Sequence, residues 1–124
     1  MDMKLLGPTG HTGLDVSFAA MNLLAPSALK LKGSARTLCY VFGGTTALLT
    51  AFTDQPYAVQ RLIPFKVHGA IDAAYAPALL LLPAITGAMK KPKAKGLFFG
   101  LFAMALTSFL ITDYNANDAG NADR

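Results

Sequence analysis

Charge is what this chain of 124 residues has least of: 15% is Asp, Glu, Lys or Arg against 53% hydrophobic, a balance unusual for a soluble domain. Glutamate is absent, so the seven acidic residues are all aspartate. The one cysteine, Cys39, excludes an internal disulfide, and it falls in an apolar stretch where cysteine acts as a small hydrophobe. The 11 Lys and Arg give a net charge of +4, yet no basic run is interleaved with aromatics and no zinc-finger spacing occurs. Those absences exclude the usual nucleic-acid binder. The first ten residues carry Lys4 but no small-residue cleavage site follows, so no signal peptide is expected.

What is present is four apolar runs, at about 12–29, 35–53, 66–88 and 95–112. Basic residues concentrate in the segments 30–36 and 90–95, whereas Asp2, Asp15, Asp54, Asp72, Asp113, Asp118 and Asp123 all lie at the other ends of the runs. A soluble four-helix bundle needs polar faces at helical period, and residues 76–85 and 97–111 are uncharged and apolar on every side. The expectation is therefore an all-α membrane protein with four transmembrane helices. By the positive-inside rule the basic loops 30–36 and 90–95 are cytoplasmic, and both termini lie on the non-cytoplasmic side of a cell inner membrane.

The chain also repeats itself. Sliding residues 11–52 onto 68–109 without a gap gives 11 identities, among them His11/His68, Asp15/Asp72, Pro26/Pro83, Phe42/Phe99, Gly43/Gly100 and Thr50/Thr107. With a two-residue slip the copies end alike, Thr53-Asp54 against Thr112-Asp113. One membrane domain, 1–124, thus divides into repeat 1 at about 11–54, a linker at 55–66, repeat 2 at about 68–113 and a polar tail at 114–124. Because each repeat has two spans, the copies are parallel, related by an axis along the membrane normal. Gly7, Pro8 and Gly10 predict an irregular start over 1–10. Pro56 and Pro64 bound a short surface helix in the linker, and the tail is expected to be solvated and partly disordered.

The second copy carries Val67-His68-Gly69-Ala70-Ile71-Asp72, then Pro83, Gly87, Gly100 and Thr112-Asp113-Tyr114; the first keeps His11, Asp15, Pro26, Gly43, Thr53 and Asp54, with Gln55 where the second has Tyr114. This pattern resembles the small bacterial integral-membrane proteins related to the SPW-repeat family. The name-giving Trp is missing, since Ser27 and Ala84 follow the two prolines and the chain has no Trp. The resemblance implies a two-repeat, four-span membrane protein and carries no established activity or catalytic residues.

His11 with Asp15, and His68 with Asp72, are spaced i and i+4, so on a helix each pair shares a face near the outer end of a span. The repeat axis brings the pairs to one depth, with Asp54, Asp113, Thr50, Thr107, Thr53 and Thr112 as further groups in that layer. Three readings stand side by side. The cluster holds a divalent metal as cofactor, because imidazole with carboxylate suits zinc, iron or manganese. It relays protons, because histidine titrates near neutrality. Or it is structural, the aspartates capping helix N-termini. The expected function is a structural or protein-interaction role, with a homodimer and the lipid bilayer as partners. The alternative is a small transporter or metal-binding protein using His11, Asp15, His68 and Asp72.

Overall fold

The computed structural model describes residues 4–116, and these form four helices: α1 (Pro8–Ala28), α2 (Gly33–Ala51), α3 (Phe65–Thr86) and α4 (Pro92–Ile111). No strand forms among the described residues beyond two isolated bridge pairs, Leu6 with Thr112 and Thr53 with Ile63. Helices α1 and α2 pack as one hairpin and α3 and α4 as another, while α2 against α3 and α1 against α4 close the bundle. The N-termini of α1 and α3 therefore share one end with the C-termini of α2 and α4, and the two basic turns share the other.

Three local expectations change. Helix α1 begins at Pro8 rather than after an irregular stretch of ten residues, because proline at the first helical position gives up an amide that has no intrahelical acceptor. The linker forms no surface helix. The Gln55 side chain accepts from the Tyr57 amide, and the amides of Leu62 and Ile63 turn back to the Phe52 carbonyl, so the segment returns along the end of α2 as turns and extended chain. Of the tail, residues 117–124 lie outside those described; before them Ala116 is buried and the Asn115 amide donates to Asp113 Oδ1.

Buried positions recur between the hairpins. In the first helix of each the offset is 57: Pro8/Phe65, His11/His68, Thr12/Gly69, Ala19/Ala76, Asn22/Leu79 and Pro26/Pro83 are all buried. In the second it is 59, with Ala35/Ala94, Cys39/Phe98 and Phe42/Leu101 in the core. The turn between shows where the register changes. Lys30 (φ 55) and Gly87 (φ 78) take the same left-handed conformation, and the amides of Leu31 and Ala88 both donate to the carbonyl of the buried proline, all still at 57. The two extra residues of the second copy come after Ala88.

The core at the basic end is apolar, built on Phe18, Cys39, Phe42, Leu79, Phe98 and Leu101. Outward positions carry large aliphatics, including Leu24 at 67% exposure, Leu48 at 63%, Leu81 at 62% and Ile85 at 76%. Helices α3 and α4 are long and apolar enough to cross a membrane. In α1 and α2 part of what dilutes the apolar character, His11, Thr12, Asn22, Thr46 and Thr50, is buried inside the bundle, while Ser17, Ser27, Arg36, Thr37 and Thr45 are exposed.

Candidate functional site

At the end opposite the basic turns, each helix-start histidine points into the bundle axis. His11 and His68 are the fourth residues of α1 and α3, 1% and 2% exposed, with ring centroids 5.1 Å apart and ring planes nearly perpendicular. Each imidazole is held by a threonine of the other hairpin: His11 Nδ1 lies 2.8 Å from Thr112 Oγ1, and His68 Nδ1 lies 2.7 Å from Thr53 Oγ1. Both threonines sit where a second helix gives way to extended chain, and both donate their hydroxyl proton to a carbonyl one turn back, Ser108 O and Leu49 O. A hydroxyl has one proton. With that proton on the carbonyl, each threonine accepts, so Nδ1 of each histidine carries hydrogen and Nε2 is the nitrogen turned inward. Ser108 Oγ stands 3.2 Å from His11 Nδ1 as a further polar neighbour.

The inward nitrogens meet the two carboxylates. His11 Nε2 is 3.2 Å from Asp15 Oδ2 and 3.0 Å from Asp72 Oδ2; His68 Nε2 is 2.9 Å from Asp15 Oδ2 and 3.4 Å from Asp72 Oδ2. The four groups form a ring whose two shortest edges join different repeats. Among the described residues neither Nε2 has a polar partner other than these carboxylate oxygens. His11, Asp15 and His68 each offer a ligand atom within 4.8 Å of the others.

Surrounding groups close the ring off. Phe65 and Tyr114 stack edge-on to His11 with centroids at 5.5 and 5.3 Å, on the outer side. The Tyr114 hydroxyl donates to Asp72 Oδ2 at 2.8 Å. Burial first, and then the Asp72 carboxylate beside it, push the Tyr114 phenol well above its ordinary range, so it remains a donor. Toward the core a cavity of about 30 Å³ lies against Asp15, Asp72 and Ser108, enough for a water molecule. Beyond it the Tyr75 hydroxyl donates to Phe42 O and accepts from Thr46 Oγ1.

The other sequence candidates lie elsewhere. Asp54 pairs with Arg61 at 2.9 Å on the surface, both half exposed, and Asp113 Oδ1 accepts from the Asn115 amide. Each follows its threonine by one residue in extended chain, where successive side chains point to opposite sides. Thr50 reaches Asp15 Oδ2 at 3.4 Å. Thr107 is exposed, because its place in the second copy is set by the offset of 59, which sets Ser108, not Thr107, against Leu49. Tyr114 was not among the candidate groups, although the helix-end motif contained it.

Fold and cluster together define the class: an all-α bundle of two matching helical hairpins with a buried ring of two imidazoles and two carboxylates across their junction. No protein-family model matches the chain, and no curated protein or solved structure matches it either.

Proposed function

We propose that the protein is a four-span membrane protein that holds one divalent first-row metal ion, zinc in the first instance, between its two repeats near the outer face. The observation that carries the metal is the pair of buried Nε2 atoms that face carboxylate oxygens at 2.9–3.4 Å and have no other polar partner among the described residues. Donors around zinc, at bond lengths of about 2.0–2.2 Å, stand roughly 3.3 Å apart, the size of the His–Asp contacts, and His11, Asp15 and His68 are the three that gather within 4.8 Å of one another, with Asp72 beside them. The threonines supply what metal-bound histidines ordinarily have, a fixed partner on the other ring nitrogen. Two carboxylates balance a divalent charge, which a buried site requires.

The membrane part rests on charge and surface. Stretches 16–29, 37–53, 73–89 and 96–112 contain no charged residue, and each helix, at 19 to 22 residues, is roughly 30 Å long. His11, Thr12, Asn22, Thr46 and Thr50 are turned inward, and the outward faces of α1 and α2 carry only hydroxyl side chains such as Ser17, Ser27 and Thr45 among apolar ones between residues 16–29 and 37–51. The basic turns then lie on the cytoplasmic side of an inner membrane, and the kinship to the SPW-repeat group stands on motif alone.

Protein purified in detergent without a polyhistidine tag is expected to contain about one equivalent of metal, and Asp15→Asn, which keeps the shape, to lose most of it. A competing reading, an ion-pair ring that merely fastens the repeats, is favoured by the cross-repeat contacts being the shorter ones, 3.0 and 2.9 Å. A strong chelator separates the two. It lowers the melting temperature by several degrees if a metal is held, as loss of a ligand specific to the folded state must. It leaves the melt unchanged if the ring is held by protons.

A further inference from the structure

The two repeats differ most on the side where the ring approaches the outer surface of the bundle. In the second copy that side is filled by the chain itself: the Tyr114 ring packs over Gly69, flanked by Phe109 with centroids 5.7 Å apart, and its hydroxyl donates to Asp72. On α4 the register continues with Leu106 and Leu110. At the equivalent positions the first copy has Gln55 for Tyr114, Thr50 for Phe109, and Ala47 and Ala51 for the two leucines. Gln55 does not reach Asp15; its Nε2 donates to the Thr50 carbonyl and its Oε1 accepts from the Tyr57 amide. What is left is a groove of about 380 Å³ between α1 and α2, walled by Val16, Ala19, Leu23, Ala47 and Ala51, with Asp15 at its polar end. That volume lies within the ordinary range for a small-molecule site.

In the second copy the hydroxyl that reaches this aspartate position is a phenol's, at 2.8 Å. We propose that the groove of the first repeat binds a lipid-soluble phenol, its hydroxyl donating to Asp15, its ring lying outside the side chains of Thr12 and Gln55, which fill the place that the Tyr114 ring takes over Gly69, and an alkyl chain lying along Ala19 and Leu23. The inference rests on the bundle being embedded in lipid, from which such a molecule enters sideways, and it does not depend on the metal. Asp15 has the acceptor to offer: its one hydroxyl donor, Thr50, is at 3.4 Å, against 2.8 Å for the phenol on Asp72.

The probe is 4-octylphenol, with 4-octylanisole, its methyl ether, as the analogue that cannot donate. Binding to the full chain in lipid nanodiscs is measured by equilibrium dialysis, with and without prior chelator treatment, and metal content is measured on the same samples. The phenol is expected to bind saturably, and the ether about tenfold more weakly, the size expected for losing a hydrogen bond to a charged acceptor. Ala47→Leu combined with Ala51→Leu, which installs the second copy's leucines without touching the ring of four, is expected to abolish saturable binding and leave metal content unchanged. Equal binding of phenol and ether, no saturable binding by the wild-type chain, or undiminished binding by the folded double variant overturns the proposal. Should the double variant not fold, the phenol-to-ether ratio on the wild-type chain decides alone. Saturable, ether-discriminating binding to protein that never held metal keeps this inference and removes the metal reading instead.

Discussion

At the scale of single residues, the threonines govern the histidines. Replacing Thr53 or Thr112 by Val keeps the shape and removes the acceptor of a buried Nδ1–H. Each change is expected to weaken metal binding by about 10–100-fold, read by competition with a chromophoric chelator, and to cost about 1–3 kcal/mol of stability. Tyr114 depends on a different neighbour. A Cβ on Gly69 would come within 2.6 Å of its ring, so Gly69→Ala displaces the tyrosine and its bond to Asp72. The expected loss is about 1–3 kcal/mol in a detergent melt, and adding Tyr114→Gln restores most of it, since the first copy already pairs a side chain at Thr12 with Gln55. The i, i+4 spacing of His11 with Asp15 and His68 with Asp72 made this much readable from the sequence: both pairs share a face and meet. The crosswise grip of the threonines was not readable, because it depends on how two hairpins close around an axis. Asp54 and Asp113 misled for a related reason, since the helix ends three and two residues before them and the extended chain turns them out.

At the scale of elements, the gapless alignment paired Phe42 with Phe99 and Thr50 with Thr107, yet the first member of each pair is buried and the second exposed. Identity was followed through a turn whose length had changed, and in a helix a two-residue error carries a side chain to the opposite face. The bounds of α2 and α4 were nevertheless close, because uncharged runs between fixed charges mark helices however they are aligned. The turns themselves carry a measurable asymmetry. Lys30 occupies a left-handed position that Gly87 occupies in the other copy, and only glycine does so without steric cost. Lys30→Gly is expected to raise stability by about 0.5–1 kcal/mol, seen as a higher thermal midpoint; no change, or a fall, argues that the lysine side chain contributes more in that turn than its backbone strain takes away.

At the scale of the whole molecule, the interior holds the imidazoles and carboxylates at one end and an apolar core at the other, while much of the exterior is large and aliphatic. Interior polarity accounts for part of the lower hydropathy of α1 and α2, exposed hydroxyls and Arg36 for the rest, and composition alone does not say which way a residue faces. The proposed topology, drawn from the charge pattern, makes a prediction about sides. Single cysteines placed at Ser34 and at Tyr57, in a Cys39→Ala background, are expected to react from opposite sides of an intact membrane with an impermeant maleimide, Tyr57→Cys from outside. Labelling of both from one side would mean that the first hairpin does not cross.

The exchange of threonines between hairpins bears on ancestry. One hairpin alone has an imidazole and an aspartate but no hydroxyl placed to steady its own ring, for Thr53 serves His68 and Thr112 serves His11. A lone hairpin would need a twin to complete this centre, which is what a second copy in the same chain supplies; one copy carries its own aromatic plug and the other has an open door.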